Sequence, residues 1–197
     1  IGYKSFLANK KVSIGMAAFL IQWQDLQFFN LAAPFTYARG NVGDAQSTGV
    51  EVELSALPLK GLQLDASFGL NQTEYKDFDL KRVNFFTGEE SVTPVGGNSL
   101  SNAPSHTLFL AAQYEKALSG KLSGLLRIEL RNIGSYFTDI QNTLEQPNYT
   151  LLNARTGLSY GNYSLFLWAQ NLADTAYLSF GTSDTSFGTS VRTAAPR

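Results

Sequence analysis

Two acidic side chains two residues apart, Glu51 and Glu53, are the first place in the sequence where catalysis is conceivable. A carboxylate pair on one face is what glycoside hydrolysis needs, one group as acid and the other as base or nucleophile. The spacing i, i+2 is equally that of one face of a strand. Charged residues recur on the corresponding face of later segments, as Asp65, Arg127, Glu129, Arg131 and Arg155. Glu51 and Glu53 are therefore read as part of a charged wall, and no catalytic residue is assigned. His106 is the only histidine. A metal site needs further ligands, so none is assigned to metal. A second group, Arg82, Phe85 and Phe86, joins a cation to aromatic surface in a long irregular stretch. That combination suits an anionic, aromatic metal chelate. Tyr136 and Phe137 fall at the same end of the chain's strands and complete the candidate ligand set. The competing reading of these five is an interfacial girdle or a loop tip. No Gly-rich phosphate loop, nucleophile elbow or zinc helix is present, and the sequence is not read as an enzyme.

The elements that must carry these residues are strands. From Asn41 to Tyr75 two alternating runs flank Pro58-Leu59-Lys60-Gly61. Thr48, Val50, Val52, Leu54 and Ala56 share one face of the first run. Leu62, Leu64, Ala66, Phe68 and Leu70 share one face of the second. A period of two over this length predicts an antiparallel hairpin. Pro58 is expected to open its turn and Gly61 to close it. Further strands are predicted from Ile1 to Leu7, from Val12 onward, and after Ser105, Lys121, Asn148 and Asn162, roughly nine in all. In the run from Val12, the alternation is blurred by Phe19, Ile21 and Trp23. The stretch from Asp77 to Ala103 reads as the longest irregular segment, of a length usually reserved for function or disorder.

Composition narrows the class. The 197 residues are 44% hydrophobic, 13% aromatic and only 16% charged, against about 25% charged in an ordinary soluble domain. A net charge of -1 leaves no basic field for nucleic acid. Without cysteine, a disulfide framework is excluded. No apolar run reaches the roughly 18 residues of a spanning helix, but a spanning strand needs only about 9–11, half of them polar.

The connections sort by length. Tight turns fall near residues 8–11, 58–61, 118–121 and 161–162, and loose ones near 30–46, 77–103, 138–148 and 173–190. They alternate, so an up-and-down sheet would carry short turns at one end and long loops at the other, as outer-membrane barrels do. Tyr3, Tyr114, Tyr160 and Tyr163 would then form a girdle near the turns. The fold class expected is all-β: an antiparallel meander, part of a transmembrane β-barrel. A soluble secreted β-sandwich or small β-barrel binding module stays open beside it, since one-sided soluble sheets alternate too. The sandwich holds if Val50, Val52, Leu64 and Phe68 pack under another layer of the chain.

Three stretches carry a resemblance. Asn41-Val42-Gly43-Asp44-Ala45-Gln46-Ser47-Thr48-Gly49-Val50-Glu51-Val52-Glu53 is one. Gly97-Asn98-Ser99-Leu100-Ser101-Asn102-Ala103-Pro104-Ser105-His106-Thr107 is the second. Trp168-Ala169-Gln170-Asn171-Leu172-Ala173-Asp174-Thr175-Ala176-Tyr177 is the third. In this order they resemble the barrel of TonB-dependent outer-membrane receptors, which import ferric siderophores and similar nutrients. The resemblance implies residues 1–197 as the C-terminal part of such a barrel, with the plug domain and terminal strand absent. It implies a place in the outer membrane of a Gram-negative bacterium. The partners implied are outer-membrane lipid, the plug domain of the parent chain, and TonB through an N-terminal region; nucleic acid is not among them. No cofactor is implied, the parent's ligand being an iron chelate. Glu51, Glu53, Asp65, Arg127, Glu129, Arg131 and Arg155 would face the lumen. A cut barrel has two unpaired edges, which cannot sit bare in lipid.

Overall fold

The computed structural model describes residues 1–33, 36–41, 43–84, 86–184 and 189–194. The strands in chain order begin with β1 (Gly2–Leu7), β2 (Val12–Trp23), β3 (Gln27–Ala33), β4 (Thr36–Asn41), β5 (Ala45–Leu59) and β6 (Leu62–Tyr75). Next come β7 (Asp79–Val83), β8 (Glu90–Pro94), β9 (His106–Ser119), β10 (Leu122–Ile133), β11 (Tyr136–Phe137) and β12 (Glu145–Gln146). The last are β13 (Tyr149–Tyr160), β14 (Tyr163–Ala169), β15 (Leu178–Asp184) and β16 (Thr189–Ala194). Eight of them form one antiparallel meander in the order β1-β2-β5-β6-β9-β10-β13-β14. The other eight pair as four small hairpins, β3-β4, β7-β8, β11-β12 and β15-β16. Among the described residues no helix is long and apolar enough to cross a membrane.

Register explains why one layer is enough. Ile14, Leu54, Ala66, Leu110, Leu130 and Leu152 are direct partners across six neighbouring strands. The alternation of each strand is thus in phase with its neighbours, and a slip by one residue would turn a strand's apolar set to the other side. The apolar face built this way is uncovered. Val50, Val52, Leu64 and Phe68 keep 39–43% of their surface exposed, and none joins the buried cluster. Among the described residues no second layer lies over them, so the sandwich reading falls. Tyr3, Tyr114, Tyr160 and Tyr163 share this face in register with Met16, Leu126 and each other.

The buried core lies elsewhere, at the end that carries the long connections. Ala45, Tyr75, Phe78, Leu80, Val95 and Ile140 are its members, with Leu26 and Leu100 against it. Tyr75 and Phe78 meet edge to face at 5.3 Å. Here the sequence expectation is corrected. The stretch from Asp77 to Ala103 is not structureless: it holds the β7-β8 hairpin, whose Leu80 is 1% exposed. Each of the other loose connections also holds a short hairpin. These strands are too short to show a period.

A second correction concerns the first tight turn of the central hairpin. β5 runs through Pro58 to Leu59, which pairs with Leu62, and the turn is Lys60-Gly61 alone. The register shifts between Ala56 and Leu59, so Pro58 sits in a bulge, one of the few places a sheet tolerates a residue with no N–H. The meander is open. β1 and β14 are its outermost strands and do not pair with each other.

Candidate functional site

All seven charged positions singled out in the sequence lie on the face opposite the aliphatic one. Two rows of direct partners show it for four of them, Ser55-Asp65-Ala111-Glu129-Asn153 and Gln63-Gln113-Arg127-Arg155-Trp168, and Glu51, Glu53 and Arg131 follow by strand alternation. At the centre is a connected polar network. Asp65 accepts hydrogen bonds from the Ser55 hydroxyl at 2.7 Å and the Gln63 amide at 2.9 Å. Arg127 donates through Nε to Glu129 at 2.6 Å and through Nη1 to Gln113 at 3.4 Å, and lies 3.9 Å from Asp65. The network ties four adjacent strands on one side of the sheet. Glu51 and Glu53 stand apart from it on β5, across from Ala17 and Gly15. Among the described residues no group of histidine, aspartate and glutamate is arranged to hold a metal.

Two aromatic rings lie flat on this same face, each over a glycine of the neighbouring strand. Phe19 covers Gly49, and Phe166 covers Gly157. A Cβ at either glycine would collide with the ring. Phe166 in turn supports the Arg155 guanidinium, whose carbon is 4.1 Å from the ring centroid.

Toward the loop end the charged face opens into a cavity of about 800 Å³. Phe19, Asn71, Thr73, Ser99, Tyr136 and Phe137 are among the residues that line it. The wall is held from outside: Ser47 donates to Asn71 at 2.7 Å, and Leu100 N–H donates to Thr73 at 3.1 Å. Of the five candidate ligand residues, the structure therefore brings Tyr136 and Phe137 to one cavity. Phe86 does not line it and is 78% exposed at the tip between β7 and β8. Arg82 has its backbone in β7; its side chain, and Phe85 altogether, lie outside the described residues.

The loops around the cavity are laced to one another by main-chain and amide bonds. Asn142 accepts from Ser99 N–H at 2.8 Å and donates to Ser99 C=O at 3.0 Å, while Asn98 donates to Ile140 C=O at 3.1 Å. Asp139 is 8% exposed and collects the N–H groups of Thr143 and Leu144 and the Thr143 hydroxyl. Gln146 accepts from Leu178 N–H at 2.6 Å, joining the last two loops.

Comparison with known proteins gives this arrangement its context. The sequence model of the TonB dependent receptor-like β-barrel matches residues 1–172. The chain belongs to this family. It is 29% identical over 156 residues to the ferrioxamine receptor of Yersinia enterocolitica, a match covering 76% of this chain and 19% of that protein. Among solved structures it resembles the ferric yersiniabactin uptake receptor FyuA of Yersinia pestis, with a TM-score of 0.78 and 18% identity. That alignment covers 98% of this chain and 27% of FyuA. The siderophore receptor PiuA of Acinetobacter baumannii aligns with a TM-score of 0.70 and 21% identity, over 90% of this chain and 24% of PiuA. The chain thus spans about a fifth of the curated relative's length and about a quarter of these two structures. The family is one of transport receptors rather than enzymes, and its members are outer-membrane β-barrels.

Within a TonB-dependent receptor barrel, the third sequence motif has a clear physical task. Asn171 N–H donates to Asn153 at 2.9 Å and Leu172 N–H to Leu152 C=O at 2.8 Å, so the chain leaving β14 folds back along β13. The Asn171 side chain closes a small ring with Thr175, accepting from its N–H and donating to its C=O. Tyr177 then stacks on Tyr149, centroids 4.7 Å apart and planes 3° from parallel. The first motif is explained on the other side of the sheet: Ala45 and Ser47 are buried, Gly49 makes room for Phe19, and only then do the glutamates begin. Sequence reading missed Phe19, Asn71, Thr73 and Ser99. The signal for Phe19 was a large aromatic facing a glycine across the strand pair.

Proposed function

We propose that this chain is wall and outer-loop structure of an outer-membrane receptor that imports a ferric siderophore, with TonB supplying the drive through a plug domain. The single observation that carries the reading is the family match over residues 1–172 of a chain whose sheet has one uncovered aliphatic face. A single layer with its aliphatic face uncovered and its charge on the other side fits lipid outside and an enclosed polar space inside. On this reading Glu51, Glu53, Asp65, Arg127, Glu129, Arg131 and Arg155 face the lumen. Tyr136 and Phe137 offer aromatic surface to the incoming chelate at the loop end, and Arg82, Phe85 and Phe86 remain candidates beside them. The chelate is cargo, not cofactor. The wall's own contribution is mechanical: it keeps the path dry of lipid and holds the loops in place.

The resemblance to the ferrioxamine receptor selects the first ligand to try. In a strain lacking other iron receptors, the full-length receptor should restore growth on ferrioxamine or a related ferric chelate, and only when TonB is present. Replacing Tyr136 and Phe137 together by alanine should weaken chelate binding about tenfold or more, the scale for losing a desolvated aromatic anchor. Growth restored without TonB, or unchanged binding in the double variant, would count against the reading.

A further inference from the structure

A second cleft, of about 250 Å³, lies on the charged face away from the loop-end cavity, and Arg127, Glu129, Asn153, Arg155, Trp168 and Gln170 line it. Its two arginines are direct partners across β10 and β13. Like charges in that position repel. Arg127 is compensated, with Glu129 at 2.6 Å and Asp65 at 3.9 Å. Arg155 is not: among the described residues it forms no ion pair, and its contact is the Phe166 ring. A guanidinium over an aromatic ring gains from the contact without using its N–H donors, which stay available for an acceptor.

The rest of the cleft offers mostly donors. Asn153 has its carbonyl oxygen taken by Asn171 N–H, so the donor end of its amide is the free one. Trp168, opposite Arg155 in register and 72% exposed, can only donate. Glu129, the one carboxylate, is engaged by Arg127. A flat cation, an indole N–H and an amide NH₂ around one cleft select an oxyanion with two parallel acceptors.

We propose that Arg155, with Asn153 and Trp168, forms a carboxylate-binding station on the charged face. The inference rests on the receptor reading only for its surroundings, an enclosed lumen. There the carboxylate comes from a side chain of the polypeptide that fills the barrel or from the cargo itself, and the chemistry is the same.

The test uses the full-length receptor purified in detergent and does not depend on transport. Arginines are labelled with phenylglyoxal and mapped by mass spectrometry, alone and with millimolar citrate, against equal ionic strength of chloride. Arg131, on the same face and likewise without an ion pair among the described residues, is the reference. In parallel an R155K variant is treated with a water-soluble carbodiimide, which joins a lysine to a carboxylate in contact with it. A cross-link from position 155 to an aspartate or glutamate of the receptor outside this sheet supports the station with a polypeptide carboxylate, Glu129 being already part of the cleft. Citrate slowing Arg155 labelling about tenfold relative to Arg131, the scale of one charge-assisted hydrogen-bond pair, supports it with a free carboxylate. No such cross-link, or one to Glu129 alone, together with no citrate protection overturns the proposal.

Discussion

The wall and the loop end of this chain are stabilised by opposite means. The wall is eight strands of in-phase alternation with no core of its own, its leucines and valines left uncovered. The loop end is short hairpins with no period, yet it contains the chain's buried cluster around Leu80 and Val95. A wall residue gains little from its own chain and depends on what surrounds the protein. A loop-end residue is sealed by neighbours from three connections. The lesson is that burial, used alone, would put the structural centre of this protein in its loops.

One substitution made in both places separates the two regimes most sharply. Leu80→Ala empties a fully enclosed site and should cost about 2–5 kcal/mol locally. Hydrogen exchange should show it at Val95 and Asn98, whose N–H groups close the loop onto Phe78 and Val95, with the β10 amides unchanged. Leu167→Ala removes the same atoms from a side chain 66% exposed. With lipid outside, no cavity forms and the cost should stay under about 1 kcal/mol. Comparable losses at both positions would end the contrast.

Next in size is a charge on the wall. Leu54 lies mid-strand between Ile14 and Ala66. Leu54→Arg should cost about 2–4 kcal/mol in the full receptor folded into vesicles, the range for a cation at mid-depth facing lipid. On a water-facing surface the same change would be nearly silent. Denaturant unfolding from vesicles distinguishes the outcomes, and a silent result removes the lipid-facing assignment.

How far these regions were legible in the sequence follows from the same difference. The wall was readable because alternation is a local signal that survives without knowledge of partners. Val50, Val52 and Leu54 announce their face whatever lies opposite. The loop-end core was not readable, because Phe78, Leu80, Val95 and Ile140 are isolated apolar residues that meet only after two loops fold. The cavity was half legible. Tyr136 and Phe137 were found by their place at a strand end. Phe19 was set aside as a break in the pattern, yet it keeps strict phase on the charged face, where its ring covers Gly49. The break was in hydrophobicity, not in geometry.

That pairing gives a prediction of intermediate size on the wall's other face. Gly157→Ala puts a methyl into the Phe166 ring and should cost about 1–3 kcal/mol by overpacking. The ring has somewhere to go, so a second change, Phe166→Leu, should recover most of the loss. The two together should be less damaging than the sum of each alone. Simple additivity in unfolding experiments would mean the ring does not rest on the glycine.

The smallest effect concerns the two ends of the sheet rather than its faces. Positive-φ backbone occurs at both. At the loop end it falls on Gly43, Gly88 and Gly97 and, among other residues, on Asp25, Asn102, Asn142, Asn171 and Asp174, the non-glycine types that tolerate it best, and Asn142 and Asn171 also bond the loop with their side chains. At the turn end three connections place a glycine there: Gly61, Gly120 and Gly161. The β1-β2 turn is the exception. Ala8, Asn9 and Lys10 have φ of 51°, 55° and 67°, closed by Lys11 N–H on Ala8 C=O at 3.1 Å. Lys10 has neither glycine's freedom nor asparagine's local hydrogen bond. A left-handed residue of this kind costs about 1–2 kcal/mol, and glycine returns about 0.5–1 of that through its greater freedom when unfolded. Lys10→Gly should therefore stabilise the folded receptor by about 0.5 kcal/mol, read as a shift of the unfolding midpoint at unchanged slope. A loss of stability would mean that the turn draws more from the lysine side chain than its backbone loses by carrying one.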